Sequence, residues 1–98
     1  MSKIRIGIVG CGGITLQNHV PGVAMCHELA KVTAVADIFE PNLHKVAGLT
    51  GATTISTDYR EILRRDDVDA VIIATATDTH MEVARAAIEQ GKHVLCEK

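Results

Sequence analysis

The stretch GIVGCGGIT, residues 7–15, constrains the fold more than any other part of the chain. Lys3 to Val9 ends in an apolar run that suits a strand buried on both faces, as in a parallel sheet. Gly10 to Gly13 break that run, and a helical segment begins near Ile14. A glycine-rich turn between strand and helix lets the backbone approach a bound group, while the helix aims unpaired N–H donors at it. Gly10 allows the tight bend and Gly12 the close approach of a pyrophosphate. Thr15 stands at the third glycine position, which predicts a helix set farther from the first strand or shifted along it.

Beyond the glycine turn, short apolar runs alternate with segments of helical period. Pro21-Gly22 should interrupt the first helix and leave a second short piece ending near Glu28. Lys31 to Asp37 alternates weakly and reads as the second strand. Pro41 suits the start of a helix whose Leu43, Val46 and Ala47 share a face, with Gly51 as its stop. Ala52 to Ser56 forms a short third strand, and Asp58 with Glu61 has capping-box spacing before Tyr59, Ile62 and Leu63. Val68 to Thr75 reads as a buried fourth strand, followed by a second capping box, Thr79 with Glu82, and a helix to Gln90. His93 to Glu97 is the fifth strand, its Val94-Leu95-Cys96 apolar as in a buried one. This alternation implies right-handed crossovers and an α/β, Rossmann-type doubly wound parallel sheet of about five strands in one domain, residues 1–98, incomplete at its C-terminal edge.

Asp37 ends the second strand, 22 positions after Thr15, where a carboxylate can accept hydrogen bonds from both ribose hydroxyls of an adenosine. Its charge repels a 2′-phosphate, and Ile38 brings no compensating cation, so NAD is favoured over NADP. A phosphate loop of nucleoside triphosphatases needs Lys-Ser or Lys-Thr after its last glycine, and Ile14-Thr15 excludes it. A methyl-donor site also uses a glycine turn and an acid after the second strand, and these local features leave it open.

Ten Lys plus Arg against twelve Asp plus Glu give a net charge of −2, too balanced for nucleic acid or an anionic membrane surface. No apolar stretch approaches the roughly 20 residues of a membrane span, and the chain reads as cytoplasmic. Cys11, Cys26 and Cys96 are odd in number and far apart, without the paired spacing of a zinc site. No metal is expected, and the thiols read as small buried apolar groups, with Cys11 and Cys96 the candidates for redox sensitivity.

The segments IRIGIVGCGGI, His19-Val20-Pro21, VTAVADIFEPN, STDYREIL, DVDAVIIATATDTH and AIEQGKHVLCEK together resemble the glucose-fructose oxidoreductase/inositol dehydrogenase/MocA family of nicotinamide-dependent oxidoreductases. The resemblance covers all 98 residues and lowers the methyl-donor alternative sharply. It implies that Gly10, Cys11, Gly12, Gly13 and Ile14 hold the pyrophosphate and that Asp37 and Ile38 contact the adenosine. Thr75, Ala76 and Thr77 would line the path to the nicotinamide ribose, with His80 nearby. Family members usually carry proline and asparagine at positions 76 and 77, so the turn here is more flexible and lacks an amide contact. For His80, a packed residue of the helix's first turn is as good a reading as cofactor contact.

Glu97 matches the position that binds the nicotinamide ribose, and Lys98 the lysine near the reacting carbon. There an ammonium stabilises charge developing on the substrate oxygen and helps hold a proton network. The resemblance further implies a C-terminal domain that supplies the pocket for a sugar or polyol, beyond these 98 residues, and allows the full-length form to be a homo-oligomer. Without that domain nothing holds a substrate at reacting distance, so the chain alone is expected to be inactive. The alternatives are a non-catalytic NAD-binding or redox-sensing module acting through a partner, and a truncated product without activity.

Overall fold

The computed structural model describes residues 3–96. Five parallel strands, β1 (Ile4–Val9), β2 (Ala30–Ala36), β3 (Thr54–Ser56), β4 (Ala70–Ile73) and β5 (His93–Cys96), form one sheet in the order β3-β2-β1-β4-β5. The chain winds outward from β1 to β3, then crosses back to place β4 on the other side of β1. The carboxyl ends of β1 and β4 therefore diverge into helices on opposite faces, which opens a crevice between them. The expected α/β Rossmann-type sheet is present, with its helices α1 (Val20–Met25), α2 (Glu40–Thr50), α3 (Tyr59–Leu63) and α4 (His80–Glu89).

Strand alternation sorts the core into two layers. Val9, Ala34, Ala36, Val71 and Ile73 pack on one face with Ile62 and Leu63 of α3 and Val83 and Ala87 of α4. On the other, Ile8, Val32, Val35 and Ile72 meet Leu43 and Val46 of α2, with Val20 and Val23 of α1 against them. Gly7 admits α3 closely, since a Cβ there would lie 2.9 Å from Ile62 Cγ2. The weak alternation of β2 has a local cause. Ile6 pairs with Val32 but Gly7 with Ala34, so Thr33 is an extra, bulged residue that turns its hydroxyl to the Asp67 carbonyl, 3.0 Å away.

Several expectations need correction. Pro21 does not interrupt the first helix. A π-helical turn at Thr15–His19 runs directly into α1, and the Val20 N–H donates five residues back to the Thr15 carbonyl. Pro21 falls in the first turn of α1, just past the widened turn, where proline's missing N–H and fixed φ are tolerated. The helix then ends at Met25 rather than near Glu28. Neither capping box closes reciprocally. Asp58 does accept from the Arg60 N–H at 3.0 Å, but Glu61 accepts from the Ser56 hydroxyl. Thr79 donates to the Thr75 hydroxyl and the Ala76 carbonyl, each at 2.8 Å.

Strand β5 is not buried. It lies at the sheet edge, where α4 covers only the face of Val94, and Leu95 is 57% exposed. Cys96 and Cys26 are exposed, against the expectation of small buried groups. No helix among the described residues is long and apolar enough to cross a membrane.

Candidate functional site

Gly10 is the hinge of the site. Its φ of +101° is a conformation that residues with a Cβ rarely adopt, and a Cβ there would stand 2.6 Å from the Ala74 carbonyl carbon. Its N–H donates to the Ala36 carbonyl at 2.8 Å, tying the turn to the end of β2. Its own carbonyl accepts from the hydroxyl of Thr15, 2.5 Å away, and Thr15 is fully buried. The threonine at the third motif position thus closes the strand-to-helix turn with a side-chain bond, and the widened π-turn begins at that residue.

Gly12 and Gly13 differ from Gly10: a Cβ at either would meet nothing within 4 Å. The Gly12 carbonyl accepts the helix's first bond, from the Leu16 N–H at 3.1 Å. The N–H groups that follow it, at Gly13 and Ile14, therefore belong to the unpaired donors of a helix start. Space over the backbone and donors without intrahelical partners fit the phosphates of a dinucleotide.

Asp37 anchors the turn from the other side. Its Oδ2 accepts from the Cys11 N–H at 2.7 Å and its Oδ1 from the Phe39 N–H at 2.8 Å. A carboxylate has about four lone-pair sites, so acceptor capacity remains for a ligand hydroxyl on each oxygen. Ile38 beside it is 89% exposed. The Cys11 side chain is buried, 3.5 Å from the Ala36 carbonyl, and burial together with the charge of Asp37 pushes its thiol up to about 12. Such a thiol stays protonated and unreactive, which removes Cys11 as a redox sensor.

These residues border a cavity of about 370 Å3 at the carboxyl ends of β1, β2 and β4. Of the residues assigned to the cofactor, Gly10, Gly12, Asp37, Ile38, Thr75 and Ala76 line it. Thr77 opens the short 3₁₀ turn Thr77–Thr79. Cys11, Gly13, Ile14 and His80 do not line it. The His80 Nε2 donates to the Thr75 carbonyl at 2.6 Å, so this ring holds the turn that follows β4. Glu97 and Lys98 lie outside the described residues.

Among the other lining residues, Thr57, Tyr59 and Glu82 carry polar groups that the sequence did not assign to the site. The Tyr59 hydroxyl donates to Glu82 Oε1 at 3.2 Å, joining the starts of α3 and α4, which pack on the same face of the sheet. Helix periodicity had assigned Tyr59 to an apolar face and Glu82 to a cap. The signal that finds Thr57 and Tyr59 is positional, since they come just past the carboxyl end of β3, while Glu82 lies in the first turn of the helix after β4. Among the described residues lining the cavity there is no lysine or arginine.

Fold and site together define an α/β domain of the dinucleotide-binding kind. The chain belongs to the oxidoreductase family with an NAD-binding Rossmann fold whose family model matches residues 4–98. It is 38% identical over 96 residues to an inositol 2-dehydrogenase/D-chiro-inositol 3-dehydrogenase of Shouchella clausii, covering 97% of this chain and 28% of that protein. The WlbA dehydrogenase of Bordetella pertussis, solved with NADH and UDP-GlcNAcA, superposes with a TM-score of 0.90 at 31% identity, over 99% of this chain and 29% of that one. A 3-ketoreductase of Actinomadura kijaniata, solved with NADP and TDP-benzene, superposes with a TM-score of 0.90 at 33% identity and the same coverage. The chain thus spans just over a quarter of the length of these relatives.

Proposed function

We propose that residues 1–98 are the cofactor-holding domain of an oxidoreductase that moves hydride between NAD and a sugar, polyol or related hydroxy compound. The cofactor supplies the hydride acceptor; the chain binds and orients it. The turn from Gly10 through Cys11, Gly12 and Gly13 to Ile14 offers backbone donors and open space to the pyrophosphate, and Asp37 with Ile38 faces the adenosine ribose. Thr75, Ala76 and Thr77 lie on the way to the nicotinamide, with His80 positioning that turn. Glu97 is assigned to the nicotinamide ribose and Lys98 to the substrate oxygen, through the family resemblance alone. Catalysis and substrate choice then depend on the remainder of a longer protein, which we place in the cytoplasm.

One observation carries the choice of NAD. Asp37 stands in a cavity whose described lining contains no cation to balance a 2′-phosphate. The relatives include complexes with NADH and with NADP, so side chains rather than the fold decide this preference. Calorimetric titration of the chain tests it. NAD should bind at least about tenfold tighter than NADP, a difference of about 1.4 kcal/mol, and Asp37→Ala should abolish binding. Equal affinity for the two would overturn the assignment. Hydride transfer is tested in a longer form of the protein with a panel of polyols, where no turnover with any of them counts against the reading.

A further inference from the structure

We propose that Glu82, held by Tyr59, reads the exocyclic amine of the adenine base and so selects adenine over other purines. The proposal rests on the dinucleotide reading of the cavity. Its lining contains two carboxylates, Asp37 and Glu82, and no lysine or arginine. A ligand group that meets a carboxylate must therefore bring its own hydrogen, because an acceptor placed there would be repelled. In a nicotinamide adenine dinucleotide the donors are the ribose hydroxyls, the nicotinamide amide and the adenine amine. Asp37, at the end of β2 beside the glycine turn, takes the adenosine ribose.

Sheet order decides which donor is left for Glu82. The strands run β3-β2-β1-β4-β5, with β3 and β2 on the adenosine side of the glycine turn. Tyr59 opens α3 directly after β3 and lines the cavity with Thr57. Its hydroxyl donates to Glu82 Oε1 at 3.2 Å, which ties the Glu82 carboxylate to the helix that follows β3, on the adenosine side. Among the described residues no hydrogen bond uses Glu82 Oε2, so an acceptor remains for the base.

The test compares NAD with its hypoxanthine analogue, in which a carbonyl replaces the amine, by calorimetric titration of the chain. The wild type should bind NAD at least about tenfold tighter, as expected when a charge-assisted hydrogen bond is exchanged for facing acceptors. Glu82→Gln should bring the two ligands within about twofold, because a side-chain amide can donate to the carbonyl as well as accept from the amine. Tyr59→Phe keeps the ring but frees the carboxylate, and should give an intermediate ratio. Far-UV circular dichroism verifies that both variants keep the fold. Equal wild-type affinity for the two ligands, or an unchanged ratio in folded Glu82→Gln, overturns the base assignment and leaves the dinucleotide reading intact. Failure of the wild type to bind either ligand overturns both.

Discussion

The two ends of the sheet treat charge in opposite ways. At the amino ends of the strands, charged groups satisfy one another. The Arg5 guanidinium donates to both oxygens of Asp69 at 2.9 and 3.0 Å, and Arg65 does the same to Asp67 at 2.8 and 3.1 Å. The Lys92 ammonium donates to the Arg65 and Val68 carbonyls, each at 2.6 Å. At the carboxyl ends, the hydrogen bonds of Asp37 come from backbone N–H groups and that of Glu82 from a phenol hydroxyl, with Arg60 near enough to feel the Glu82 charge. The first end has its bonding capacity used internally. The second keeps lone pairs and helix-start donors in reserve, which is the condition for holding a polar ligand.

Gly10→Ala should give the largest effect on this contrast, because it damages the hinge from which the open end is built. The methyl group would sit 2.6 Å from backbone atoms of Ala74, in a conformation that alanine disfavours. A loss on the order of 3 kcal/mol is expected, visible as an earlier midpoint in urea unfolding. Asp37→Ala follows. It strands the Cys11 and Phe39 N–H groups at a cost of about 1–2 kcal/mol, and it removes NAD binding in calorimetry. Gly12→Ala comes next and separates binding from folding. Since nothing lies within 4 Å of the added carbon, stability should move by less than about 0.5 kcal/mol, while the methyl group obstructs the pyrophosphate and weakens NAD on the order of tenfold. A Gly12→Ala variant as unstable as Gly10→Ala would erase the distinction between hinge and cradle.

The strand-to-helix glycine turn and the position of Asp37 at the end of β2 were legible in the sequence because local spacing sets both, while the bonds from the Cys11 and Phe39 N–H groups to Asp37 were not. The order of strands and helices was legible for the same reason, since each switch of period coincides with a turn residue. What escaped depends on contacts between segments distant in the chain. Tyr59 and Glu82 meet only because α3 and α4 start at the same rim, and neither period nor capping rules carry that information. The exposure of Leu95 follows from β5 being the edge strand among the described residues, in line with the expected sheet incomplete at its C-terminal edge, whereas the apolar run by itself suggested a buried strand. Thr33 blurred the alternation of β2, and the bulge that causes it exists only in the pairing with β1. Pro21 misled in the opposite direction, because it falls in the first turn of α1, where a helix tolerates proline.

The smallest effect expected lies at the amino ends, and it measures how separate the two ends are. The Arg5 side chain, and then its backbone N–H, hold the Asp69 carboxyl at about 2, below its ordinary range. A carboxyl whose folded value lies below its unfolded one stabilises the fold above the unfolded value of about 4, and that contribution disappears as pH falls through about 2. Both side chains are more than a third exposed, at 39% and 38%, so solvent screens the pair. The change in melting temperature should be no more than a few degrees. Thermal melts from about pH 5 down to about pH 2 should show wild type above Asp69→Asn at the start and level with it at the end. High salt at about pH 5 should narrow the same gap. Because Asp69 is at the end of the sheet opposite the cavity, Asp69→Asn should leave NAD affinity unchanged. A loss comparable to that of Asp37→Ala would mean that the ion pairs set the geometry of the crevice and that the two ends act as one unit.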